Sequence, residues 1–273
     1  MDTTHAGLDG PTITSDRVRQ VTVLLGGAVA VAAAAVGSGA FGGQAIQDAA
    51  GGALSDSATP VAPAGPAFSI WSVIYLGLAV VAVWQALPRQ ASNPRLRATG
   101  WWVLASMLLN ALWIGVVQAG SLVGSVLVIL ALLAVLCVLL VALVAEPPHG
   151  ALDVTVDVTV GLYLGWVSVA TLANVAAWLA DAEVGGLGLG ATGWSVVLLV
   201  LAAGLALVYA RYGRRRPTVV VPVGVAMAWG LAWICVGRAQ GPLQDRTVAI
   251  VAGLAAATAL LGPVALTLVG RRR

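Results

Sequence analysis

Apolar residues fall in eight long blocks separated by short polar breaks. A hydrocarbon core of about 30 Å takes ~20 residues of helix. Blocks of that order lie at about 21–41, 67–87, 99–118, 121–145, 156–180, 192–211, 217–237 and 247–269. The pattern predicts an all-α, polytopic membrane helix bundle with about eight transmembrane helices. Its tightest breaks, at Ala119–Gly120 and at Arg211–Pro217, require sharp chain reversals. Residues 1–19, with a Thr-, Gly- and Asp-rich start, read as a disordered cytoplasmic tail. The longest loop, 42–66, is flexible at first and then stiffened by Pro60, Pro63 and Pro66.

Three blocks carry polar and aromatic strips where lipid solubility alone asks for none. The fifth contains YLGWVSVATLAN, Tyr163 to Asn174. At about 100° per residue, Tyr163, Trp166, Ala170, Thr171, Asn174 and Trp178 share an arc of about 140°. In the second block, Phe68, Trp71, Ser72 and Tyr75 share an arc of about 100°; in the third, Trp102, Ser106, Asn110 and Trp113 lie within about 80°. An amide or hydroxyl in hydrocarbon has no water to bond, so such residues face other helices or a cavity. If the three strips converge, they line a pocket with flat aromatic walls and a few hydrogen-bonding points, suited to a planar apolar ligand. The plainer reading keeps equal weight residue by residue: asparagines bond helix to helix, and Trp84, Trp101, Trp178 and Trp194 anchor span ends at the interface.

Composition fixes the setting. Hydrophobic residues make up 60% and charged residues 9% of the chain, against about 25% charged in a soluble domain. The 14 basic residues are all arginines. With eight spans and an inside N-terminus, only Arg238 and Arg246 fall outside, as the positive-inside rule expects. The basic charge therefore reports topology and contact with anionic lipid, not nucleic-acid binding. Both termini are expected in the cytoplasm. A cleaved signal peptide fits less well, because the first apolar run exceeds the usual ~7–15 residues. The arginine-only, Ala-, Val- and Gly-rich usage suggests a bacterial plasma membrane.

Several chemistries lack their residues. There is no lysine for a retinal Schiff base, and His5 and His149 lie outside the apolar blocks, so no haem or metal site is expected. Cys137 and Cys235 sit within blocks and read as small core residues, not as a disulfide framework. No nucleotide-binding or hydrolase motif stands in a credible context. Asp153 and Asp157 share a face at the start of the fifth block. They read first as a helix-start charge pair at the interface; a proton-coupled role requires one of them to lie deeper and face a cavity.

FSIWSVIYLGLAVVAVW (Phe68 to Trp84), LLNALW (Leu108 to Trp113) and YLGWVSVATLAN occur in the order and at the separations of three helix motifs of the TspO/MBR family. The chain resembles these tryptophan-rich sensory proteins, relatives of the mitochondrial translocator protein, over residues 20–180. It departs from the family pattern at Ser69, where glycine is usual, and at Ile114 to Gln118, where a proline and paired phenylalanines are usual. The resemblance implies a five-helix core binding porphyrins, other tetrapyrroles or sterol-like molecules, with no required cofactor. It carries a pocket role onto Trp71, Tyr75, Asn110, Trp113, Tyr163, Trp166 and Asn174; Phe68 and Thr171 join them by their helical faces. Residues 181–273 then form a three-helix membrane extension with a basic tail, which covers a surface that the relatives use for dimerisation or leaves homodimerisation open.

The leading expectation is a membrane receptor or carrier for a planar hydrophobic molecule. A secondary transporter using Asp153 or Asp157 is the alternative. Enzymatic breakdown of a tetrapyrrole is the weakest, since no general acid or base can be placed in the pocket.

Overall fold

The computed structural model describes residues 14–37, 44–184 and 188–271. It contains α1 (Thr14–Gly37), α2 (Ile70–Gln85), α3 (Pro94–Gln118), α4 (Leu122–Ala145), α5 (Ala151–Asp181), α6 (Gly190–Tyr212), α7 (Pro217–Gln240) and α8 (Arg246–Arg271), and no strand among the described residues. All eight are long and apolar enough to cross a membrane, α2 together with the 3₁₀ turn Gly65–Ser69 that leads into it.

Local chemistry accounts for the reversals. Gly120, at φ +77, takes the left-handed conformation that a side chain resists, and the Ser121 hydroxyl then caps α4 by accepting from the Gly124 N–H at 3.2 Å. At the start of α3, Asn93 Oδ1 accepts from the N–H groups of Arg95 and Leu96, and Pro94 fills the first helical position.

Three helices begin earlier than their apolar blocks, and in each case buried charge is the reason. Residues 14–19, expected in the tail, belong to α1; residues 1–13 of that tail lie outside the described residues. Asp16, Arg19 and Gln20 are buried. Arg97 of α3 grips both carboxylate oxygens of Asp16, at 2.8 and 2.6 Å, in the paired geometry a guanidinium favours. Arg19 donates to Ala91 O, and the amide of Gln20 to the carbonyls of Gln85 and Leu87, each at 2.8 Å. Helix α5 likewise starts at Ala151, and Asp153 and Asp157 are 4% and 0% exposed. Both acids stand in the first two turns of α5, as a helix-start pair does, but they are buried between helices. Arg95 of α3 donates to Asp157 Oδ1, Thr218 of α7 donates to Oδ2 at 2.6 Å, and Asp153 Oδ2 accepts from His149 N–H at 2.9 Å. A carboxylate at this depth persists only with such partners.

Helix α5 is the spine of the bundle. It packs on α2, α4 and α7; α1 lies against α2 and α3, α3 against α4, and α8 against α6 and α7. The last three helices are thus wound into the bundle through α7. Contact between α5 and α7 depends on two glycines one turn apart: a Cβ on Gly161 would stand 2.5 Å from Val219 O, and one on Gly165 2.2 Å from Val223 O. Without a hydrophobic force between helices in lipid, close backbone approach of this kind supplies the packing.

Candidate functional site

The three strips do converge, and their side chains fill the space between them. From α2, Trp71 stacks on Tyr75 with ring centroids 5.2 Å apart and meets Tyr163 and Trp166 of α5 edge-on, at 5.8 and 6.2 Å. Phe68 meets Trp166 edge-on at 5.7 Å. Such offset and edge-to-face pairs are the favoured aromatic geometries. Helix α7 closes the far side, where the position of a Cβ on Gly230 lies 3.5 Å from the Trp166 ring. Tyr163 and Trp166 are buried, while Phe68, Trp71 and Tyr75 are only partly so.

Polar groups in this cluster divide into two sets. In the first, every bond is made. Trp113 Nε1 donates to Asn174 Oδ1 at 2.9 Å, Asn174 Nδ2 donates to Ser125 Oγ of α4 at 2.9 Å, and Tyr163 Oη donates to Ser106 O at 3.0 Å. Thr171 turns back onto its own helix, donating to Val167 O at 2.7 Å. This set locks α3, α4 and α5 together. Ser125 was not legible as a member, because it lies in the most uniformly apolar block. Substituting Ser125 with alanine strands the Asn174 amide, and a loss of about 0.6–1.7 kcal/mol is expected, read as a lowered unfolding midpoint in detergent.

The second set is incomplete. Asn110 Nδ2 donates to Tyr75 Oη at 3.0 Å, but Asn110 Oδ1 is buried without a partner, and so is Trp166 Nε1. Turning the Asn110 amide over would only exchange which of its atoms is left unpaired. The stranded donor is on an indole that meets Phe68 and Trp71 edge-on, and the stranded acceptor is on the amide that bonds the Tyr75 hydroxyl; an unmade buried hydrogen bond costs about 1–3 kcal/mol. Of the predicted strips, Ser72 is exposed and Trp102, 42% exposed, faces outward, so neither takes part. Beside the site an apolar groove of about 400 Å³ runs between α1, α2 and α3, lined by Gly27, Val31, Ala79, Ala82, Val83 and Met107 among others.

A family model described as TSPO-like protein matches residues 21–265. The chain belongs to the TSPO-like family. The match spans α1 to most of α8, so it takes in the three C-terminal helices as well as the five that carry the motifs. Searches among curated proteins and among solved structures found no significant match. Within this TSPO-like chain, the three motifs supply side chains to both hydrogen-bonded sets and to the ring contacts between α2 and α5. Asp157 stands apart from them, six residues and so about 9 Å along α5 from Tyr163, with its carboxylate committed to Arg95 and Thr218.

Proposed function

We propose that this TSPO-like membrane protein is a receptor or carrier for a planar hydrophobic molecule, of the porphyrin, other tetrapyrrole or sterol-like class, held against the aromatic face shared by α2, α3 and α5. The observation that carries this reading is a pair of buried, unpartnered polar atoms: Trp166 Nε1, in rings that stack and cross at 5.2–6.2 Å, and Oδ1 of Asn110, whose amide bonds Tyr75 of the same ring group. A flat ligand with an acceptor and a donor on its edge would satisfy both atoms and replace ring–ring contacts with ring–ligand contacts. Entry is by displacement of the partly exposed side chains of Phe68, in the turn before α2, and of Trp71 and Tyr75 in α2, because the buried α5 residues are fixed by their neighbours. The fully bonded Trp113–Asn174–Ser125 chain holds the frame against which α2 moves. The arginine-only, Ala-, Val- and Gly-rich composition supports a bacterial plasma membrane setting, and the distribution of the arginines supports cytoplasmic termini.

The test is a titration of tryptophan fluorescence with protoporphyrin IX in purified protein. Saturable quenching is expected in the parent, weakened about tenfold in Asn110→Leu and in Trp166→Phe, the loss of one buried hydrogen bond each (~1.4 kcal/mol). Equal affinity in the parent and both variants would remove the assignment of the site.

A further inference from the structure

At the arginine-rich end of the bundle a recess of about 540 Å³ opens between the first turn of α1 and the first turns of α3. It is lined by Thr14, Ser15, Asp16, Arg19, Arg97 and Trp101, with Val18 at its apolar edge. Its lining side chains include two arginines and one aspartate, one more positive than negative. Arg19 is 2% exposed; its Nη2 donates to Ala91 O, whereas its Nε is buried without a partner. Arg97 remains 36% exposed while it holds Asp16. The start of a 24-residue helix adds the positive end of its dipole. Trp101 near the start of α3 is 47% exposed, and an exposed indole near a span end favours the membrane–water interface. Toward the membrane centre the recess gives way to exposed Val18, Val21 and Leu25 of α1 and Leu108 of α3, each more than 45% exposed. Positive charge, an interfacial indole and an apolar runway below them are the complement of one kind of molecule.

We propose that this recess binds the phosphate headgroup of an anionic phospholipid, with the acyl chains along the exposed faces of α1 and α3. Basic pockets between spans on the cytoplasmic side recognise such headgroups by charge. The site is separate from the aromatic cluster, and neither depends on the other. It also gives the buried ion pair a second role: Asp16 offsets part of the charge of Arg19 and Arg97, and so sets how strongly the recess attracts an anion.

The test uses the sign of the charge. Purified, delipidated protein is titrated with phosphatidylglycerol, phosphatidylcholine or inorganic phosphate, and thermal stabilisation is followed. Saturable stabilisation by phosphatidylglycerol alone is expected. Asp16→Asn should bind it about fivefold more tightly and Arg97→Gln about fivefold more weakly, the ~1 kcal/mol that one unit charge contributes near an anionic surface. Both variants break the same ion pair, so a purely structural role would move them in the same direction. Ser15→Asp, at an exposed position where an acid favours a helix start, should also bind about fivefold more weakly while folding normally, which keeps the test decisive if either ion-pair variant fails to fold. The proposal is overturned by equal effects of the two lipids, by stabilisation with inorganic phosphate alone, or by unchanged phosphatidylglycerol affinity in Ser15→Asp.

Discussion

Replacing Arg95 with methionine is expected to destabilise the protein by about 3–5 kcal/mol, because it leaves a fully buried carboxylate without its cation. Asp157 has no exposed surface, and its carboxylate is held by Arg95 and by the hydroxyl of Thr218. The same guanidinium also donates to Glu146 O, so its loss frees the α4–α5 connection as well as α5. The double variant Arg95→Met/Asp157→Leu should recover most of the loss, since exchanging a whole buried pair for apolar groups is often neutral or stabilising. Equilibrium unfolding in mixed micelles measures both. A single variant within 1 kcal/mol of the parent would contradict the assignment of this pair as the clamp between α3 and α5.

Gly165→Ala carries the second large effect. Its new Cβ would lie 2.2 Å from a backbone oxygen of α7, which cannot swing aside as a side chain does. Overpacking of this kind costs about 1–3 kcal/mol and more where backbone must move. Pairing it with Gly161→Ala on the same face should push α7 away from α5 and lower the unfolding midpoint further. Gly115→Ala, where a Cβ meets nothing within 4 Å, should leave the midpoint nearly unchanged. Equal behaviour of Gly165→Ala and Gly115→Ala would show that α5 and α7 do not meet through these glycines.

The eight spans could be read from hydropathy because each helix must present ~20 apolar residues to lipid, and the helices end within a few residues of where the blocks do. The starts of α1, α3 and α5 could not be read so well, and all three fail for one reason. Asp16 with Arg97, and Arg95 with Asp157, neutralise one another inside the bundle, whereas a sum over single residues counts each charge as a reason to stop the span. Partnership across 62 or 81 positions leaves no local trace. The aromatic strips were legible because helical spacing puts Tyr163, Trp166 and Asn174, or Phe68, Trp71 and Tyr75, on one face. That they interlock, with one amide oxygen and one indole N–H left over, depends on the angles at which α2, α3 and α5 meet. So does the outward turn of Trp102, which shares a helical face with Asn110 but lies on an uncovered part of α3. The glycines of α5 were visible as residues, yet their facing helix, α7, lies in the segment whose polar content offered no lead.

The central claim is that the aromatic cluster holds a planar hydrophobic molecule, and native mass spectrometry of the protein extracted from its own membrane tests it most directly. The account predicts a discrete adduct with the mass and absorbance of a tetrapyrrole, or the mass of a sterol-like compound, retained by the parent and lost from Asn110→Leu/Trp166→Phe while phospholipid adducts persist in both. The same small-molecule adduct on parent and double variant, or phospholipid adducts alone on both, would contradict it.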